Sequence, residues 1–140
     1  MICTFFGHRD TPKEIESTLK LTLLDLIENH NVNLFYVGNK GNFDSLVYNQ
    51  LIELSKKHRI KYFVVLDRFP NKSDSTFYSN TILPEGIENV PPRFAISYRN
   101  KWMLKQSDIV VTYVSYISAG AYKFKELAEK QGKIVINLKR

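Results

Sequence analysis

The sequence predicts an α/β fold of three layers, with a mainly parallel sheet of five strands between helices. Two observations lead there. Five short apolar runs alternate with four stretches of helical periodicity. Parallel neighbours also need crossovers of helix length, and right-handed crossovers put those helices on the sheet faces.

The elements follow in order. "ICTFFG" is an apolar run ending in Gly7 and reads as a buried strand. Thr11 suits an N-cap, Pro12 a first helical position, and Glu14 the far end of a capping box. The helix that follows shows Ile15, Leu19, Leu23, Leu26 and Ile27 on one face. "NLFYVG" is the second strand, and a second helix starts near Asn42 to Asp44, carrying Leu46, Val47, Leu51 and Leu54. "KYFVVL" is the third strand. From Asp67 to Pro92 periodicity stops, and Pro, Asn, Ser, Thr and Gly make a long loop of the kind that covers or binds. A third helix spans about Phe94 to Gln106, with Trp102 inside it. "DIVVTYV" is the fourth strand, "AGAYKFKELAEKQ" a fourth helix stopped by Gly132, and "KIVINL" the last strand.

At 140 residues, 44% of them apolar, residues 1–140 are expected to form one domain with a proper core. The formal net charge is +6, from 20 Lys and Arg against 14 Asp and Glu, which favours an anionic partner. The basic residues are spread along the chain, without the concentrated face of a nucleic-acid reader, so a small phosphorylated ligand is the better expectation. Cys3 is the only cysteine, which excludes a disulfide framework within the chain and a cysteine metal cluster. No apolar run reaches membrane-spanning length, and "MICTFFGHRD" lacks the features of a signal peptide. A soluble cytoplasmic protein is expected.

Parallel sheets bind ligands at the carboxyl ends of their strands, so the strand-to-helix junctions carry the functional reading. After the first strand come Gly7, His8, Arg9 and Asp10. Glycine allows a turn or a close approach, arginine can fork onto a phosphate, and histidine can act as acid, base or donor. Asp10 paired with Arg9 in a solvated turn is the plain alternative. After the second strand comes Gly38-Asn39-Lys40-Gly41-Asn42-Phe43-Asp44, two of the chain's six glycines in one short turn. Either the turn is tightly packed with Asn42 as cap, or its amides and Lys40 meet an anionic group at a helix start. Asp44 suits a ribose hydroxyl, proton transfer, or simply the helix dipole. The third junction, "RFAISYRNKWM", brings Arg93, Arg99, Asn100 and Lys101 together and reads in isolation as a solvated basic face. Trp102 and Met103 fit the core better than a stacking platform. The fourth, "YVSYISAGAY", leads through Ser118, Ala119 and Gly120 into the last helix, again a start suited to an anion, with Lys123 and Glu126 further along.

Together these junctions resemble the SLOG superfamily, the Rossmann-like fold shared by LOG-type phosphoribohydrolases and many nucleotide-sensing modules, and within it the YpsA-like branch. The resemblance covers nearly the whole chain. It rests on Gly7-His8-Arg9, on Gly38-Asn39-Lys40-Gly41, on Phe94, Arg99-Asn100, Leu104 and Ser107-Asp108, and more loosely on Tyr113 and Ala119-Gly120. It implies a nucleotide or nucleotide-derived ligand, of ADP-ribose or cyclic type, with its phosphates at the glycine turns. Arg9 and Lys40 would meet the phosphates, with Arg99 or Lys123 beside them. It implies a homodimer or higher homo-oligomer, and no metal and no separate cofactor are expected. Members act as sensors, including in antiphage defence, or cleave an N-glycosidic bond of a nucleoside monophosphate. The cleaving members carry "PGGxGTxxE". Here Glu126 aligns with that glutamate, but Ala119, Tyr122 and Lys123 replace the first glycine, the later glycine and the threonine. A sensing or sequestering module is therefore the first expectation. A hydrolase or transferase using Asp44 and Glu126 is the second, and a protein-interaction domain, suggested by eight tyrosines, the third.

Overall fold

The structure is a computed structural model that describes residues 1–70, 80–117 and 120–139. Six strands form one sheet: β1 (Ile2–Gly7), β2 (Leu34–Val37), β3 (Lys61–Val65), β4 (Thr81–Ile82), β5 (Ile109–Tyr113) and β6 (Ile134–Asn137). The helices are α1 (Glu16–Asn29), α2 (Gly41–Ser55), α3 (Ala95–Gln106) and α4 (Gly120–Lys130). The spatial order is β4-β3-β2-β1-β5-β6, and every pairing is parallel.

Side-chain alternation along the strands divides the core in two. Cys3, Phe5, Phe35, Val37, Val64 and Val111 face α1 and α2, where Leu19, Leu23, Leu26, Phe43, Val47 and Leu51 meet them. Phe6, Val65 and Val110 face the opposite way, onto Met103 and Leu104 of α3 and Phe124 and Ala128 of α4. Both faces of the sheet are buried, as the apolar runs require. The result is the Rossmann-like α/β/α arrangement.

Three expectations are corrected. The sheet has six strands, not five. Thr81–Ile82 joins the edge of β3 through Val64 N–H to the Asn80 carbonyl and Leu66 N–H to the Ile82 carbonyl, both at 2.9 Å. Two residues inside a polar segment make no readable run. The long Asp67 to Pro92 loop thus contains this strand and a 3₁₀ turn at Ile87–Asn89, whose Ile87 is buried. The capping box is absent. Lys13–Ile15 form a 3₁₀ turn before α1, and the Thr11 hydroxyl donates to the His8 carbonyl at 2.5 Å instead. Asn42 does not cap α2. Lys40 holds that position, while the Asn42 amide reaches the Thr11 carbonyl at 3.5 Å.

The chain steps outward from β1 to β4, and α3 returns it to the other side of β1 for β5. The direction reverses between β1 and β5, so a crevice opens past their carboxyl ends.

Candidate ligand-binding site

A cleft of about 260 Å³ lies at that crevice. Its walls carry Gly7, His8 and Arg9 after β1, Lys40 and Asp44 at the start of α2, and Arg99 and Asn100 of α3. Tyr116, after β5, and Gly120, opening α4, complete it. Phe6, Ile96 and Met103 supply apolar floor. Three of the four junctions singled out in the sequence therefore converge with the third, basic one.

Arg99 is the pivot. It is 2% exposed, so the solvated basic face expected of its segment is wrong at this position. Its helix lies over the sheet and carries the guanidinium to the ends of two strands. Nη1 donates to the Val65 carbonyl at the end of β3 (3.1 Å) and to Asn39 Oδ1 after β2 (2.9 Å), and Nε donates to Asn100 Oδ1 (3.0 Å). Burial lowers its proton affinity, the Asp44 and Asp67 carboxylates raise it, and Arg9 lowers it again.

Asp44 sits on the other side of Gly38. A Cβ built on Gly38 would lie 2.7 Å from Asp44 Oδ2 and 3.0 Å from the Arg99 guanidinium carbon, so only glycine lets the two approach this closely. Asp44 Oδ2 accepts from the Lys40 backbone N–H at 3.0 Å. Burial pushes the Asp44 carboxyl up to about 6, against the pull of Arg99, the Lys40 amide and Arg9. The second glycine of the turn, Gly41, has φ +88°, and a Cβ there would meet the Arg9 Cα at 2.6 Å. The Asn42 N–H donates to the Arg9 carbonyl at 2.9 Å. The two glycines are thus demanded by packing, Gly38 against Asp44 and Arg99 and Gly41 against Arg9. The chain's own Asp44 carboxylate takes the Lys40 amide. The Lys40 ammonium lies 3.9 Å from Asp67 Oδ1.

His8 is 2% exposed and faces the other half of the cleft. Its Nε2 accepts from the Ser115 N–H at 3.0 Å, while its Nδ1 has no hydrogen-bond partner among the described residues. The Tyr116 ring stacks on it at 3.7 Å and 7°, and the Tyr116 hydroxyl donates to Asp10 Oδ1 at 3.1 Å. Burial lowers the imidazole below its ordinary range, and Asp10 raises it in part.

The remaining expected residues that the structure describes do not line this cleft. Gly38 and Asn39 line a neighbouring depression of about 220 Å³ with Ser45, Tyr48 and Asn49, adjoining the first at Asp44. Lys123 is exposed on α4, its ammonium 5.7 Å from the Phe124 ring centre. Glu126 interacts with Tyr122 and does not line the cleft, so it is not brought to Asp44. Ser118 and Ala119 lie outside the described residues. Two participants were not singled out from the sequence. Asp67 directly follows the third apolar run, which is itself a strand-end signal. Tyr116 carried no signal beyond its place in the fourth junction. Among the described residues no group of three His, Cys, Asp or Glu could hold a metal ion, and no helix is long and apolar enough to cross a membrane.

No protein family and no curated protein matches the sequence. Among solved structures, the chain is similar to DNA processing protein A (DprA) from Streptococcus pneumoniae, with a TM-score of 0.70 and 15% sequence identity. The match covers 95% of this chain and 48% of that one, so this chain spans about half the length of the protein it resembles. At that identity the likeness shows the fold, which is Rossmann-like.

Proposed function

We propose that the chain binds a nucleotide or nucleotide-derived small molecule in the cleft past β1 and β5, as a sensing or sequestering module. The observation that carries this is the convergence of Arg9, Lys40 and Arg99 on one cleft at the point where strand order reverses. Among the described residues that line it Asp44 is the one carboxyl, so the cleft favours an anion. Its volume falls just below the range of small-molecule sites, ~300 to 1,000 Å³, which suits a mononucleotide or one end of a larger ligand. The fold shared with DprA supports the SLOG superfamily, and a neighbour named for DNA processing agrees with a ligand of nucleotide chemistry. The YpsA-like branch rests on Gly7-His8-Arg9 and Gly38-Asn39-Lys40-Gly41. Self-association and a place in signalling or antiphage defence belong to the same reading.

A second reading has one observation in its favour. Asp44 is a cleft carboxyl pushed up to about 6, where a general acid for N-glycosidic cleavage works well. Glu126 does not join it, so such an enzyme would have a single carboxyl at the cleft.

The test is native mass spectrometry and thermal shift with AMP, cyclic nucleotides, NAD and ADP-ribose. One of them should raise the melting temperature and be recovered intact, and Arg9→Glu should abolish the shift. A freed base would move the assignment to the hydrolase. No shift with any of them would sink both readings.

A further inference from the structure

The charges at the cleft nearly cancel before any ligand arrives. The Lys40 ammonium lies 3.9 Å from Asp67 Oδ1. Asp67 is 8% exposed and acts on Arg99 as well. Asp44 acts on Arg99 from across Gly38. Lys40 and Arg99 thus each have a carboxylate set against them. Arg9 is different. Its charge is felt by both Asp44 and Arg99, yet its side chain makes no hydrogen bond or ion pair among the described residues. Asp10, its neighbour in sequence, does not line the cleft, and Asp10 Oδ1 accepts from the Tyr116 hydroxyl. Burial lowers the proton affinity of His8, so its imidazole adds no charge at neutral pH or above. Three cations against two carboxylates leave a single positive charge.

We propose that the cleft takes a nucleotide whose phosphate is a diester with one negative charge, in preference to the doubly charged phosphate of a monoester. This rests on the nucleotide reading above and names the ligand class within it. A diester oxygen meets the Arg9 charge and leaves Asp44 opposite Arg99 and Asp67 opposite Lys40. A monoester brings a second charge above its own proton loss near pH 6. That charge gains only from Arg9, which is exposed and screened, and it stands beside the Asp44 carboxylate. Relief would require Asp44 to take up a proton. Burial pushes that carboxyl up to about 6, so at pH 8 the uptake weakens binding by about a hundredfold.

The test is calorimetric titration at pH 8 of AMP and of its phosphate methyl ester, which differ by one charge at the same phosphate. The ester should bind the wild type about tenfold tighter than AMP or more. Asp44→Asn adds one positive charge to the site, and AMP should gain about tenfold more from it than the ester does. 3′,5′-Cyclic AMP and the dinucleoside phosphate ApA, both diesters, tell a cyclic nucleotide from a nucleic-acid strand as the source, and at least one of them should bind tighter than AMP. Equal affinity of AMP and its methyl ester for the wild type, or tighter AMP, overturns the proposal and leaves the nucleotide reading standing. So does an Asp44→Asn variant in which the ratio of the two affinities is unchanged. Should that variant fail to fold, the wild-type comparison decides alone. Wild type that binds none of the four removes the nucleotide reading itself, and the proposal with it.

Discussion

Asp44 is ionised at neutral pH only against the resistance of its surroundings, and that resistance can be read as stability. The carboxyl rises from 3.8 to about 6 on folding, chiefly through burial. Its folded form therefore holds a proton that the unfolded chain releases. The stabilisation is fully present below pH 3.8 and is lost as pH rises through 6. At most about 3 kcal/mol is involved, at 1.36 kcal/mol per unit. Asp44→Asn resembles the protonated form and keeps an oxygen for the Lys40 amide. The variant should be more stable than the wild type to urea at pH 8, by about 1 to 3 kcal/mol, and the two should converge near pH 4. A variant less stable at pH 8 would mean that the pairing with Arg99 outweighs burial. A charge kept at a cost to the fold is what a binding or catalytic position looks like. None of this was visible in the sequence beyond the presence of Asp44 at a helix start. Arg99 shows why. Its neighbours Arg93, Tyr98 and Lys101 give a polar, basic segment, and only the placement of α3 over the ends of β2 and β3 turns that one arginine inward.

At the scale of elements, the start of α2 is fixed by the loop after β1 as much as by its own residues. Gly41 sits at φ +88°, and a Cβ there would lie 2.6 Å from Arg9 Cα, so a side chain meets both strain and a backbone it cannot displace. Gly41→Ala should destabilise the protein by about 2 kcal/mol or more and move Arg9 in the cleft. Thermal unfolding together with the AMP titration checks it. Unchanged stability would mean that the two junctions yield to one another, and the cleft would then be less preorganised than the packing implies. The five apolar runs were legible as strands because each is four to six mostly apolar residues in a sheet whose two faces pack against helices. β4 was not, because its two residues have backbone pairing with β3 and no hydrophobic pattern. The start of α1 was misread for a similar reason. Thr11 has the composition of a cap, but its hydroxyl is drawn to the His8 carbonyl, a contact set by the turn after β1.

On the scale of the whole molecule, β1 is the strand everything depends on. It pairs with β2 on one side and β5 on the other, it reaches both halves of the core, and its end carries His8 and Arg9 into the cleft. Cys3 is its second residue, with no exposed surface, and burial pushes its thiol well above the usual range. Reaching that sulfur requires parting β1 from a neighbour, and a parallel sheet with both faces covered has no local way to do so. Labelling of Cys3 by a thiol reagent should therefore report global unfolding. The opening free energy from labelling should equal that from urea denaturation, and AMP at about 100 times its dissociation constant should slow labelling about a hundredfold. Labelling that runs faster than global unfolding and ignores AMP would show β1 opening without the cleft. The centre of the sheet and the binding site would then be separate units, and the strand-order switch would not be what holds the site together.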